Sequence, residues 1–110
     1  MRAVASGTRA WLLQRLTAVY MLGFIAFALG TFAVDPPASY EAWRSWIGGD
    51  AMRIATALFC IGLALHAWVG LRDVAMDYVR PLALRVTVLG FVGAGLVAFT
   101  AWMTFVLAVL

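Results

Sequence analysis

Three long stretches of the chain are dominated by apolar side chains: Leu12 to Val34, Ala51 to Leu71, and Val86 to Leu110. Each reaches the roughly 20 residues that a helix needs to cross the hydrocarbon core of a bilayer. The polar positions between them predict how the helices end. "DPP" at residues 35–37 stops the first helix, because proline lacks the backbone donor and disfavours α geometry in the residue before it. In "SYEAWRSWIGG", Tyr40, Trp43, Trp46 and Ile47 recur at three-to-four-residue spacing, opposite Glu41, Arg44 and Ser45. That pattern predicts a short helix lying in the membrane interface, where amphipathic rings are favoured. A plain loop with aromatic anchors would carry the same residues. Gly48 and Gly49 then punctuate the chain before the second span.

Composition supports lipid as the solvent. Of 110 residues, 65% are hydrophobic, far more than a small soluble domain carries, and the three spans leave no room for a soluble catalytic domain. The expected fold class is an all-α membrane protein, one membrane-anchor domain over residues 1–110 with three transmembrane helices. The first span is too long for the roughly 7–15-residue core of a signal peptide and "FAVDPP" is a poor cleavage site, so it is expected to be retained. With no Ser-rich transit extension ahead of it, the expected setting is a bacterial inner membrane.

The net charge of +3 does not point to nucleic acid, because the arginines sit at the ends of spans rather than on one polar face. Arg2, Arg9 and Arg15 flank the first span, and Arg72, Arg80 and Arg85 separate the second from the third. The first loop holds Asp35, Glu41 and Asp50 against Arg44 and Arg53. The positive-inside rule then places the N-terminus and second loop in the cytoplasm. The lone cysteine, Cys60, excludes an internal disulfide and a multi-cysteine metal site, and is read as a small packing residue. In the third span Gly90, Ala94 and Ala98 fall at i, i+4 and i+8, with Gly93, Gly95 and Ala101 nearby, and such small residues let helix backbones approach closely in lipid.

The chemistry gathers in "ALHAWVGLRDVAMDYVRP", residues 64–81. On a helix, positions 62, 66, 70, 73 and 77 stay within about 40° of one line. Gly62, His66 and Gly70 therefore share a face, which Asp73 and Asp77 extend. Imidazole is a standard haem-iron ligand, and a missing side chain one turn above and below it permits a flat porphyrin to approach. A lone membrane histidine that hydrogen-bonds a neighbouring helix fits the same pattern. Arg72 lies about 9 Å along the helix from His66, so a haem here would have an edge near the boundary. Arg15 is the best-placed arginine to pair with propionates, and a snorkelling topology charge is the alternative. A low-spin b-type haem takes two strong axial ligands and the chain has one histidine, so another chain or a methionine supplies the second. Asp77 and Tyr78 stand at the exit of the second span. A phenol there can donate to a quinone carbonyl beside a carboxylate that orients it or relays protons, or it can belong to the aromatic belt.

At these residues the sequence resembles a known family. "HAWVGLRDVAMDYVRPLALR" is similar to the second-helix motif of the small hydrophobic membrane anchor of succinate dehydrogenase, which reads His-Ala-Trp-x-Gly-x-x-x-Val and then Asp-Tyr-Val-Lys/Arg-Pro. "WLLQRLTAVY", residues 11–20, resembles the start of that family's first helix, with its Arg-x-Thr-Ala core. The resemblance implies that His66 is the axial ligand of haem b and Tyr78 the quinone-site tyrosine. It implies that Arg15 lies near the haem and quinone pocket and Asp77 beside the tyrosine. It further implies a heteromeric helix bundle in which a companion membrane anchor supplies the second haem histidine and completes the quinone pocket. An iron–sulfur subunit and a flavoprotein subunit would bind at the cytoplasmic face and pass electrons from succinate to ubiquinone. The anchor of a fumarate reductase would use similar parts with the opposite flux, and a non-redox structural subunit would use none of them.

Overall fold

The structure is a computed structural model that describes residues 2–110, with side chains from Gly7 onward. The Arg2 side chain, one of the expected topology charges, lies outside the described residues. Four helices follow in chain order: α1 (Arg2–Val34), α2 (Tyr40–Ile47), α3 (Asp50–Tyr78) and α4 (Leu82–Val109), with no strand among the described residues. Three of them are long and apolar enough to cross a membrane: α1 over Gly7–Val34, all of α3, and all of α4.

The helices outrun the apolar segments that predict them. α1 starts ten residues before Leu12, α3 continues seven residues past Leu71, and α4 begins four residues before Val86. Hydropathy changes where lipid ends, but the backbone hydrogen-bond ladder has no reason to stop there. At about 1.5 Å per residue the 29 residues of α3 span about 43 Å, more than the roughly 30 Å hydrocarbon core. Its last two turns, with Arg72, Asp73, Asp77 and Tyr78, therefore project beyond lipid or reach its edge when the helix tilts.

The stops are local chemistry. α1 closes with the Asp35 amide donating to the Thr31 carbonyl, after which Pro36 and Pro37 cannot continue the ladder. Ser39 caps α2 in extended geometry, its hydroxyl accepting from the Ala42 amide at 3.2 Å. The short helix predicted from the aromatic spacing is thus present. Trp46 lies 4.9 Å from Phe32, centroid to centroid, which ties α2 to the end of α1. Arg44 reaches the Leu110 carbonyl at 3.5 Å, so α2 and the end of α4 share one side of the membrane layer. At the other side the Arg85 side chain donates to the Val79 carbonyl at 2.9 Å and clamps the three-residue turn around Pro81.

α3 is the middle helix. It packs on α1, α2 and α4, whereas α1 and α4 do not pack on each other among the described residues. Burial follows from that position: among the described residues all the buried ones but Leu107 lie on α3, namely Thr56, Cys60, Gly62, Val69 and Ala75. Most are small, which lets neighbouring backbones close in. Cys60 is a packing residue, as expected. Large apolar side chains such as Leu22, Phe91 and Phe105 face outward, the arrangement of a chain solvated by lipid. Six threonines inside the spans satisfy their hydroxyl donors within their own helix. Thr17, Thr31, Thr56, Thr87, Thr100 and Thr104 each donate to the carbonyl four residues back, so none of these hydroxyl hydrogens is stranded in hydrocarbon.

The small-residue stripe of α4 is not the packed one. Gly90 and Gly95 have open space where a Cβ would be, and Ala94 and Ala98 are exposed. The contact with α3 uses Gly93, whose Cβ position lies 3.3 Å from the Trp68 ring. An indole needs a notch, and a single glycine supplies it.

Candidate functional site

The α1–α3 register fixes the surroundings of the histidine. Gln14 reaches the Gly70 position, Thr17 lies against Gly62, and Phe24 stacks on Phe59 at 4.6 Å, so the two helices run antiparallel. Arg9 and Arg15 therefore sit at the same end of the layer as Arg72, and α2 at the opposite end. The charge bias read along the sequence is a real asymmetry of the folded chain.

His66 is partly buried at this contact. Its Nδ1 lies 3.2 Å from the Gln14 carbonyl and 3.2 Å from Thr17 Oγ1, both on α1. Its Nε2 makes no hydrogen bond among the described residues. The imidazole thus does what a lone membrane histidine does, bonding a neighbouring helix, and uses one nitrogen for it. The other stays available as a ligand. That arrangement, one ring nitrogen on a carbonyl and the other free, is the usual one for a metal-bound histidine, so the residues present fit an axial ligand to haem iron. No group of three or more His, Cys, Asp or Glu side chains able to hold a metal lies among the described residues.

The glycines beside His66 have a different neighbour from the one their spacing suggests. A Cβ at Gly62 would lie 3.9 Å from Thr17 Cγ2, and one at Gly70 only 3.3 Å from Gln14 Nε2. Within this chain the two glycines bring α1 close. The sequence reading does not single out Gln14 and Thr17 as partners of the imidazole, although both lie in the quoted first-helix motif. Two uncharged polar residues at i, i+3 in an apolar run need partners in lipid, and that is the signal that points to them.

The other candidates do not gather round the imidazole. Arg15 is level with His66 but exposed, with its guanidinium carbon 5.5 Å from the Trp11 ring centroid, outward from the α3 contact. Tyr78 is the last residue of α3, about 18 Å along the helix from His66 and about 120° round it. It is 80% exposed, and its hydroxyl makes no hydrogen bond among the described residues. Asp77 is exposed on the His66 side of α3. Asp73 pairs with Arg72 at 3.6 Å, an exposed contact worth little in stability. A groove of 610 Å³ between α3 and α4 lies on the opposite side of α3 from His66. Ile61, Leu65, Trp68 and Leu96 make it apolar, and its one hydroxyl, on Thr100, already donates to the Leu96 carbonyl.

The three long apolar helices define a multi-pass membrane protein. The chain belongs to the succinate dehydrogenase/fumarate reductase transmembrane subunit family, whose pattern matches residues 2–107. It is similar to the succinate dehydrogenase hydrophobic membrane anchor subunit of Coxiella burnetii (strain RSA 493 / Nine Mile phase I), with 29% identity over 101 residues. The match covers 92% of this chain and 88% of that relative.

Proposed function

We propose that this chain is the small membrane anchor of a bacterial succinate:quinone oxidoreductase, with its N-terminus in the cytoplasm. His66 serves as one axial ligand of haem b through Nε2, and the companion membrane anchor supplies the other. The observation that carries this reading is the division of labour on the ring: Nδ1 is held by α1 while Nε2 has no protein partner among the described residues. Bound there, the haem supplies a one-electron couple inside the membrane. Arg15, at the same level, neutralises a propionate once the companion anchor closes the pocket around it.

Tyr78 and Asp77 form one wall of the quinone site where α3 leaves the membrane. The Tyr78 hydroxyl donates to a quinone carbonyl, and Asp77 connects that bond to cytoplasmic protons. Their exposure in this chain fits a half-site, because groups that serve a pocket shared with another chain stay uncovered until that chain binds. Electrons arrive from succinate through the flavoprotein and iron–sulfur subunits, and ubiquinone is the acceptor. The chain does not oxidise succinate itself; it anchors the complex and shares in quinone reduction.

A reduced-minus-oxidised spectrum of the purified complex tests the haem assignment, with His66→Ala expected to weaken or abolish the b-type α-band. If His66 only joins α3 to α1, that variant lowers the stability of the complex and leaves the haem content intact. Turnover assayed with quinone and with quinol separates a succinate dehydrogenase from a fumarate reductase.

A further inference from the structure

The contact between His66 and α1 fixes more than position. Two oxygens lie against Nδ1 at the same distance, the Gln14 carbonyl at 3.2 Å and Thr17 Oγ1 at 3.2 Å. The Gln14 carbonyl can only accept. The Thr17 hydroxyl has one hydrogen and two carbonyls in reach, Leu13 at 2.8 Å and Gln14 at 3.0 Å. With that hydrogen given to its own helix, the hydroxyl presents a lone pair to the imidazole. Were Nδ1 the unprotonated nitrogen, its lone pair would face the carbonyl oxygen. The N–H would then lie on Nε2, which has no acceptor among the described residues. A partly buried donor without an acceptor costs free energy, and so does an opposed pair of lone pairs.

We propose that the Gln14 carbonyl and the Thr17 hydroxyl hold His66 as the Nδ1–H tautomer, so that α1 positions and tunes the ligand carried by α3. The contact is built for this. Gly62 and Gly70 leave the space that Thr17 and the Gln14 side chain occupy, which brings the α1 oxygens within reach of the ring. A hydrogen bond from Nδ1–H raises the electron-donating power of Nε2, the effect that outer partners have on a metal-bound imidazole. Thr17 is therefore a positioning residue. The tautomer stands on the geometry alone; the tuning of haem rests on the function proposed above.

Two measurements test these parts separately. The chain has one histidine, so the full chain carrying 15N-histidine in lipid bilayers gives the nitrogen signals of a single imidazole. The expected spectrum has a protonated Nδ1 and an unprotonated Nε2; a protonated Nε2 overturns the proposal. In the assembled complex, Thr17→Val removes the hydroxyl at nearly constant volume and Thr17→Ser restores it. Thr17→Val should retain haem with its midpoint potential shifted upward, because a weaker donor stabilises ferric iron less. Thr17→Ser should return the potential toward that of the unmodified complex. A potential and a low-spin resonance spectrum unchanged in an assembled Thr17→Val complex would overturn the tuning role. Full haem content in His66→Ala would instead remove the haem assignment and leave the tautomer result standing.

Discussion

Replacing Tyr78 with phenylalanine isolates the proposed quinone contact from the fold. Tyr78 is the last residue of α3, 80% exposed, and its hydroxyl has no partner among the described residues. Deleting that oxygen therefore removes nothing from the packing of this chain. Exposed substitutions of this kind change stability by about 0.5 kcal/mol or less. The ring, which is what an interfacial aromatic contributes, is kept. Whatever turnover is lost is then the hydrogen bond to the quinone carbonyl. At a desolvated site such a bond is worth about 1–3 kcal/mol, which corresponds to roughly tenfold to a hundredfold in quinone turnover efficiency. The assay is succinate-driven quinone reduction by the assembled complex, set against succinate oxidation with a soluble dye that takes electrons from the cytoplasmic subunits. Dye reduction should stay near normal. The haem spectrum should persist, because His66 lies about 18 Å away along the helix. Unchanged quinone reduction and unchanged sensitivity to quinone-site inhibitors, in a fully assembled complex, would refute the reasoning and return Tyr78 to the aromatic belt.

His66→Ala should lose or weaken the b-type α-band, measured by difference spectroscopy on complex shown to contain all of its chains. Quinone turnover need not fall with it, since haem and quinone can be neighbours without being in series. Gly93→Leu should separate α4 from α3, because its Cβ would start 3.3 Å from Trp68 and the rest of the side chain has to displace the indole. Overpacking of this kind costs about 1–3 kcal/mol and should appear as a lower melting temperature of the chain in detergent. Gly90→Leu, with open space around its Cβ position, should leave that temperature unchanged; equal effects of the two substitutions would contradict the α3–α4 packing.

Much of this architecture is one-dimensional and legible in the residues. Three apolar runs, the Pro36–Pro37 stop, and the spacing of Tyr40, Trp43 and Trp46 predict three spans and an interfacial helix, and all four helices are present. Hydropathy and backbone chemistry act residue by residue, so they can be read without knowing what packs where. The same holds for His66 as the one imidazole and for the arginine-rich ends that α1 and α3 share. What depends on neighbours is not legible in this way. The spacing of Gly62 and Gly70 about His66 reads as clearance for a flat porphyrin, whereas within this chain they lie against Thr17 and Gln14. The stripe of Gly90, Ala94 and Ala98 has the pattern of a packing face, but the α3 contact uses Gly93, because Trp68 is the knob that needs a hole. A small residue marks where a close approach is possible on its own helix, while the partner's bulk decides where one occurs. The hydrogen bonds that hold His66 belong to the same class. They join residues 49 and 52 positions apart, and only the antiparallel register of α1 on α3 brings them together.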